Sequence, residues 1–198
     1  MKFTRIPESA FKELVLNAGY LATTFDPAAG TAPEESALLG ATTGGINFTA
    51  VPSFTDFGED IDNCPKNMKE LKQIESWEVK CSGTYVSASA ENAKSMLGAA
   101  DVTTTSSKVS KITPRNDLKD SDFTDLWLLC DYSDKHGTTN GGFCAIHMLN
   151  TLSTGGFSLQ TGDKEKGQMS FEYTAHYSIT AQDTVPCEVY IKAGEDEA

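Results

Sequence analysis

The sequence predicts a mainly β fold of antiparallel sheets with one helix. Two segments, residues 76–86 and 169–179, alternate apolar and polar side chains, which is typical of strands with one buried face. Clusters of Gly, Asn, Ser and Asp separate the apolar runs and indicate tight turns. A short helical pattern with capping residues interrupts the strands at residues 89–97.

Length and composition predict one folded domain over residues 1–198, because 39% hydrophobic and 22% charged residues suit a globular chain. Asp and Glu outnumber Lys and Arg by 28 to 16, and the net charge of -12 disfavours binding to nucleic acid or to anionic membranes. No apolar run is long enough to span a membrane, and we expect a protein made and kept in a cytoplasm. The five scattered cysteines are expected to be reduced thiols.

The strands follow from apolar patterning between turns. In residues 76–86, Trp77, Val79, Cys81 and Tyr85 share one face. Residues 126–130 are apolar on both faces, which predicts a central strand. The other predicted strands are residues 44–51, 143–149, 156–161, 169–179 and 187–192. Residues 125–179 therefore form a predicted meander of about four strands joined by hairpins.

The predicted helix begins after Ser89, whose hydroxyl suits an N-cap, and ends at Gly98, which tolerates the left-handed conformation. Glu91 suits the positive first turn of the helix. The residues expected to pack on a sheet are Ala90, Ala93 and Leu97.

Residues 52–75 form a long predicted connection between two strands, with a helical turn at residues 66–73 as an alternative. Its first half is acidic and its second half is basic. The charged residues are Asp56, Glu59, Asp60, Asp62, Lys66, Lys69 and Lys72. These charges could meet a neighbouring copy of the chain, or they could pair within a solvated loop. A short acidic tail follows at residues 193–198.

Catalytic and metal-binding motifs are absent from the sequence, including the nucleophile elbow, the P-loop, the dinucleotide fingerprint and the zincin helix. We predict no catalytic residue, no metal ligand and no cofactor. His136, His147 and His176 are expected to be structural. A β-sandwich or barrel hydrolase, with a site assembled from distant Asp, Glu and His residues, stays as an alternative.

Segments along nearly the whole chain resemble the major tail tube proteins of long-tailed, siphovirus-type bacteriophages. The resemblance lies in the order and spacing of structural patterns. The segments are GGINF at 44–48, DFGEDIDN at 56–63, WEV at 77–79, SGT at 82–84, PRNDL at 114–118, DLW at 125–127, GFCAIH at 142–147, KG at 166–167, FEY at 171–173 and HY at 176–177.

This resemblance implies an antiparallel β-sandwich with one flanking helix, six copies of which close into a ring. The inner sheets would form one barrel, and stacked rings would form a hollow conduit for viral DNA. The implied partners are copies of the chain itself, a tape-measure protein, a tail terminator and distal tail proteins. DNA would pass without specific binding, no membrane or cofactor would be involved, and the protein would lie in the virion tail after assembly in the host cytoplasm.

Two sets of residues acquire roles from the resemblance. Residues 53–74 match the family's loop that contacts the next ring. The candidates for the lumen are Asn47, Thr49, Glu78, Lys80, Ser82, Thr84, Ser170, Glu172 and Thr174. Lys80 departs from a purely acidic lining, and alternation leaves open which sheet faces inward. The tube of a bacterial injection machine, such as type VI secretion or a tail-derived bacteriocin, is a related alternative.

Overall fold

A computed structural model describes residues 5–104, 108–132 and 141–194. Within those ranges the chain forms nine strands and one α-helix, with three short 3-10 helices. The elements are β1 (Val15–Ala22), β2 (Thr42–Asp56), β3 (Lys72–Tyr85), α1 (Ala90–Leu97), β4 (Ala100–Thr104), β5 (Ser110–Pro114), β6 (Thr124–Tyr132), β7 (Gly142–Ser153), β8 (Met169–Thr174) and β9 (Cys187–Lys192). The predicted mainly β, antiparallel fold with one helix is confirmed.

Seven strands form one sheet in the order β1-β6-β7-β8-β3-β2, and β9 pairs with the first part of β7. We call β1, β6, β9 and the first part of β7 the back layer. We call β2, β3, β8 and the end of β7 the front layer. β7 passes from one layer to the other beside Asn150, which has a φ of +48°. The backbone N–H of Asn150 donates to Asp125 Oδ1 (3.1 Å), which holds this corner.

The main core joins the two layers. Val79, Phe171 and Tyr173 of the front layer contact the same buried cluster as Leu128 and Met148 of the back layer. Burial of such side chains contributes about 1.5–3 kcal/mol each to folding. One face of every front-layer strand therefore packs in the main core.

A second, smaller core covers the other face of the back layer. Trp127 and Leu129 of β6 pack there with Ala145 of β7, and Phe25 covers them. The ring of Phe25 meets Trp127 edge to face with centroids 5.4 Å apart. Burial on both faces explains why residues 126–130 of β6 are all apolar, and it confirms the predicted central strand.

Helix α1 has the predicted bounds and caps. The Ser89 hydroxyl accepts the Asn92 N–H (3.0 Å), and Gly98 adopts a φ of +69°. The predicted buried face of the helix is wrong. Asn92 and Met96 are the buried residues, whereas Ala90, Ala93 and Leu97, which were expected to pack on a sheet, are only partly buried. Met96 reaches the main core. The Asn92 amide donates to the Ser87 carbonyl (3.4 Å), which explains how a polar side chain is tolerated there.

Two predicted strands need correction. Residues 156–161 form only one bridge, between Gln160 and Gln168, so the meander has three strands. β8 ends at Thr174, although alternation continues to residue 179. The reason is a change of partner, since the Ala175 N–H bonds to β3 at Val79 O (3.0 Å) and the His176 N–H bonds to β7 at Leu149 O (3.2 Å).

The connection after β2 is shorter than predicted. The β2–β3 ladder extends to the pair Asp56 and Lys72, so residues 52–56 and 72–75 are strand and the loop is residues 57–71. Residues 66–73 contain no helix. Pattern reasoning also missed β1, β4 and β5. Of the predicted acidic tail, residues 195–198 lie outside the described residues.

Met148 lies at the centre of the main core with no exposed surface. We predict that Met148→Ala lowers the free energy of unfolding by about 2–5 kcal/mol, because the truncation leaves a cavity between the layers. Urea denaturation measures this change. Met68→Ala is the matched control, since Met68 is partly exposed in the loop, and a similar loss in both variants would contradict the assignment.

Candidate functional site

The nine predicted lumen candidates lie on one face of the front layer. Residues directly opposite each other in an antiparallel pair share a face. Asn47, Ser82 and Glu172 form one row across β2, β3 and β8. Parallel rows contain Thr49 with Lys80 and Thr174, and Thr84 with Ser170, while Glu78 lies two residues before Lys80 on β3. We call these nine residues the polar face.

Core packing on the opposite side of the strands fixes this orientation. The residues between those of the polar face are Phe48 and Ala50 of β2, Val79 and Cys81 of β3, and Phe171 and Tyr173 of β8. All six contact the main core. Since strand side chains alternate, the nine polar residues must point outward.

The polar face carries two carboxylates and one ammonium group, which leaves a net charge of -1 at neutral pH. Lys80 forms an ion pair with Glu78. The hydrogen bond to Glu78, together with the charges of Glu78 and Glu172, raises the pKa of Lys80. Lys80 therefore stays protonated, and its charge is matched by carboxylates.

Hydroxyl groups fill much of the remaining polar face. The Thr154 hydroxyl donates to Glu172 Oε1 (3.1 Å) and lies 2.8 Å from the Thr174 hydroxyl. Ser82, Thr84 and Ser170 extend the same surface. Such a surface offers a duplex of polyanionic nucleic acid no cluster of free cations to bind.

A glycine pair bends β2 at the end of the polar face. Gly44 and Gly45 have φ values of +76° and +82°, and the β2–β3 register shifts between Thr43 and Ile46. A side chain at either glycine would meet no atom within 4 Å, so the backbone conformation is the constraint. The bulge curves the strand.

The β2–β3 hairpin continues beyond the sheet as an arm, which we define as residues 53–76. β8 pairs with β3 only between Lys80 and Tyr85, and within the described residues no third strand flanks the arm. Phe54 and Ile74 lie opposite each other and are 50% and 53% exposed. The other exposed apolar side chains of the arm are Phe57, Ile61 and Met68.

These apolar side chains are the functional candidates that sequence reasoning missed. The sequence indicates the charges of this segment as contacts, and it predicts a loop at Phe54 and Ile74, where the strands continue. Apolar residues occur at Phe54, Phe57 and Ile61 in the sequence. Their exposure follows from the absence of a third described strand beside the arm, which a sequence pattern does not predict. An exposed apolar patch with a charged rim is typical of a protein-binding surface.

Asp56 organises the loop at the tip of the arm. Its Oδ1 accepts the Gly58 N–H and its Oδ2 accepts the Asn67 N–H, both at 2.9 Å. These backbone hydrogen bonds lower the pKa of Asp56, with Lys72 and Lys66 contributing. The ammonium group of Lys72 donates to Asn67 Oδ1 (3.2 Å) and lies 4.8 Å from the centre of the Phe54 ring. Asp56 and Lys72 therefore shape the tip.

The other predicted contact charges point to solvent. Lys69 pairs with Glu70 at 3.5 Å, with both side chains exposed. In the described part of the chain, no ion pair joins the predicted contact carboxylates of this segment to its predicted contact lysines. The exposed charges that remain are Glu59, Asp60, Asp62 and Lys66.

β2 presents an open edge. Apart from Gly44 and Gly45, its residues pair with β3 on one side, and no other described strand pairs with it. A long strand with free backbone N–H and C=O groups is a template for pairing with another chain. The polar face and the arm thus lie on a strand that is open to a partner.

A cavity of about 300 Å³ beside α1 is lined by Asp122 and Asp125, two carboxylates of the kind that the hydrolase alternative requires. Both carboxylates already have partners. Asp122 binds Arg115 at 2.6 Å, and Asp125 binds His147 Nε2 at 3.1 Å. The His147 ring also stacks on Trp127 with centroids 4.0 Å apart. Asp122, Asp125 and His147 are therefore each held by contacts that stabilise the fold.

His176 Nδ1 donates to the Asn150 carbonyl oxygen (3.1 Å), and His136 lies outside the described residues. Among the described residues, no group of three or more His, Cys, Asp or Glu side chains is placed to hold a metal ion. No described helix is long and apolar enough to cross a membrane. No protein-family model matches the sequence, and no curated protein matches it significantly.

The Asp56 geometry predicts a pH-dependent arm tip. The lowered pKa of Asp56 means that its hydrogen bonds stabilise the tip above the ordinary carboxyl pKa, and that this stabilisation is lost as pH falls through the lowered value. We predict faster exchange of the Gly58 and Asn67 amides at acidic pH, after correction for intrinsic rates, as measured by NMR.

Asp56→Asn should exchange faster than wild type at neutral pH and should lose most of this pH dependence. Asp60→Asn is the control, because Asp60 is an exposed carboxylate of the same loop. An unchanged pH profile in Asp56→Asn would contradict the role of Asp56.

Proposed function

We propose that this protein is the structural subunit of a bacteriophage tail tube. Six copies would form a ring, rings would stack, and the polar face would line a conduit for viral DNA. The observation that carries the proposal is the continuous polar face on a sheet layer that ends at an open 15-residue strand edge. The resemblance described above spans the same strands.

Ring formation follows from the open edge. A sheet layer with a free edge gains backbone hydrogen bonds when it pairs with a neighbouring copy, and closure of the ring leaves no edge exposed. A cyclic arrangement of identical copies closes without a special end subunit. The front layers of the copies would then form one barrel.

The front layer is favoured as the lining of the conduit. The outer face of the back layer is covered by the second core, where Phe25 packs on Trp127. The front layer has its apolar face in the main core, and its other face is open and carries the nine polar residues together with the exposed Val51. Only an uncovered face can border a channel.

The charge of the polar face suits passage without retention. Duplex DNA carries one negative charge per ~1.7 Å, and each free Lys or Arg that contacts a phosphate strengthens binding. The single Lys80 on this face is paired with Glu78. DNA would therefore meet hydroxyl groups and weak negative charge, and would slide.

The arm supports stacking between rings. Its exposed apolar side chains, including Phe54 and Ile74, have no partner layer within the described chain, and burial against a neighbouring subunit would stabilise the contact. Its charged tip would set the register between rings.

Electron microscopy of concentrated wild-type protein, alone and with its tail assembly partners, tests the proposed function. We expect six-fold rings and hollow tubes. A protein that stays strictly monomeric under both conditions would contradict it.

Replacement of residues 57–71 by Asn-Gly tests the arm. Asp56 and Lys72 are directly paired, so a two-residue turn can join them and retain the sheet. We expect a folded protein with an unchanged layer core that forms no tubes in micrographs. Ile179→Ser is the control, since Ile179 is 86% exposed outside the arm and should not be needed. Normal tubes from the shortened chain would overturn the stacking role.

Glu172→Lys tests the lining. We expect tubes to form, and DNA ejection from particles carrying the variant to slow by about tenfold at low salt and less at high salt. Glu34→Lys makes the same charge change at an exposed position outside the polar face, and it should not slow ejection. Equal ejection rates in wild type and Glu172→Lys would place residue 172 outside the conduit.

A further inference from the structure

The segment between β7 and β8 has the alternating sequence of a strand but does not form a complete strand in the structure. Residues 157–161 alternate apolar and polar side chains, as in a half-buried strand. Their only bridge joins Gln160 to Gln168, with reciprocal N–H to O=C bonds of 2.9 Å. Phe157 and Leu159 are 42% and 56% exposed. The pattern therefore indicates a burial that the single chain does not provide.

This segment continues β7 along the edge of β8. Leu152 pairs with Thr174, Ser153 pairs with Tyr173, and Gln160 then pairs with Gln168. The pairing register with β8 shifts by two residues between Ser153 and Gln160, and this shift places a bulge near Thr154. Residues 156–161 thus border the front layer on the edge opposite to β2.

The backbone of the segment has one side free for a partner. In an antiparallel ladder, a residue with both backbone groups bonded to one neighbour is flanked by residues whose groups point the other way. Gln160 bonds to Gln168 through both groups. The N–H and C=O groups of Leu159 and Thr161 consequently point away from β8.

Strand directions match those needed for pairing between copies. β2 and β8 each run antiparallel to β3, so they are parallel to one another. The segment runs antiparallel to β8, and hence antiparallel to β2. Rotation of a copy about an axis along the strands keeps these directions. The segment of one copy would therefore meet β2 of the next in antiparallel alignment.

The side-chain faces also match. Gln168 belongs to the alternation of Ser170 and Glu172, which places its partner Gln160 beside the polar face. Phe157 and Leu159 then lie on the core side. On β2, the core side presents Ile46, Phe48 and Ala50, which are only partly buried. Apolar residues would meet apolar residues across the join.

We propose that residues 156–161 of one copy pair with β2 of the next copy and form the seam of the ring. This inference rests on the proposed function, and it names the two segments that close the barrel. Each copy would contribute four strands to the lining, the fourth being ordered by assembly.

Hydrogen exchange of dilute monomer and assembled tubes tests the seam. We expect exchange in residues 156–161 to slow by at least about tenfold on assembly, and exchange in β2 to slow as well. The turn at residues 163–166 is the internal control and should change little. Tubes in which residues 156–161 exchange as fast as in the monomer would overturn the seam and leave the proposed function intact.

Leu159→Pro tests the same contact by removing an outward N–H. We expect a folded monomer whose assembly needs at least about tenfold higher concentration. Asp163→Pro is the matched control, because Asp163 precedes Lys164 (φ +59°) in the turn closed by the Glu165 N–H and Gly162 O, where proline is accommodated. Tubes from Leu159→Pro at wild-type concentration would overturn the seam. Failure of wild type to assemble at all would overturn the proposed function and the seam together.

Discussion

The ladder of β3 with β2 and β8 is the constraint on which the rest of the structure depends. β3 bonds to both neighbours between Lys80 and Tyr85, so one register fixes the faces of three strands together. A slip of one residue would turn Val79, Cys81 and Tyr85 out of the core and the polar face into it. Burial of those three side chains, each with no exposed surface, opposes such a slip.

The same ladder explains the contrast between the front layer and the arm. Where β8 flanks β3, the strands have a core side and a solvent side. Beyond Lys80 the ladder continues without β8, so the arm has no core to cover its apolar side chains. Phe54 and Ile74 are thus exposed because β2 and β3 extend beyond the part of the sheet that β8 flanks. An assembled partner would restore the burial that the third strand no longer supplies.

Prediction from sequence succeeded where local periodicity and tertiary burial agree. Residues 187–192 and the helix at Ala90–Leu97 have the predicted bounds, and the nine lumen candidates share one face because strict alternation survives in all three strands. Prediction failed where a distant element changes the partner. β8 stops at Thr174 because its backbone passes from β3 towards β7. The buried face of α1 is set by Met96, which packs in the main core, and by Asn92, which bonds to Ser87.

The sequence by itself determined the alternation of the strands, the caps of the helix and the acidic balance of the chain, because these depend on neighbouring residues and on composition. Only the tertiary structure decided which strands lie side by side, that β2 has an open edge, that Lys80 is matched by Glu78, and that the arm exposes apolar side chains. These features join residues far apart in the chain, and their energies arise from long-range pairing and burial, which local sequence patterns do not encode.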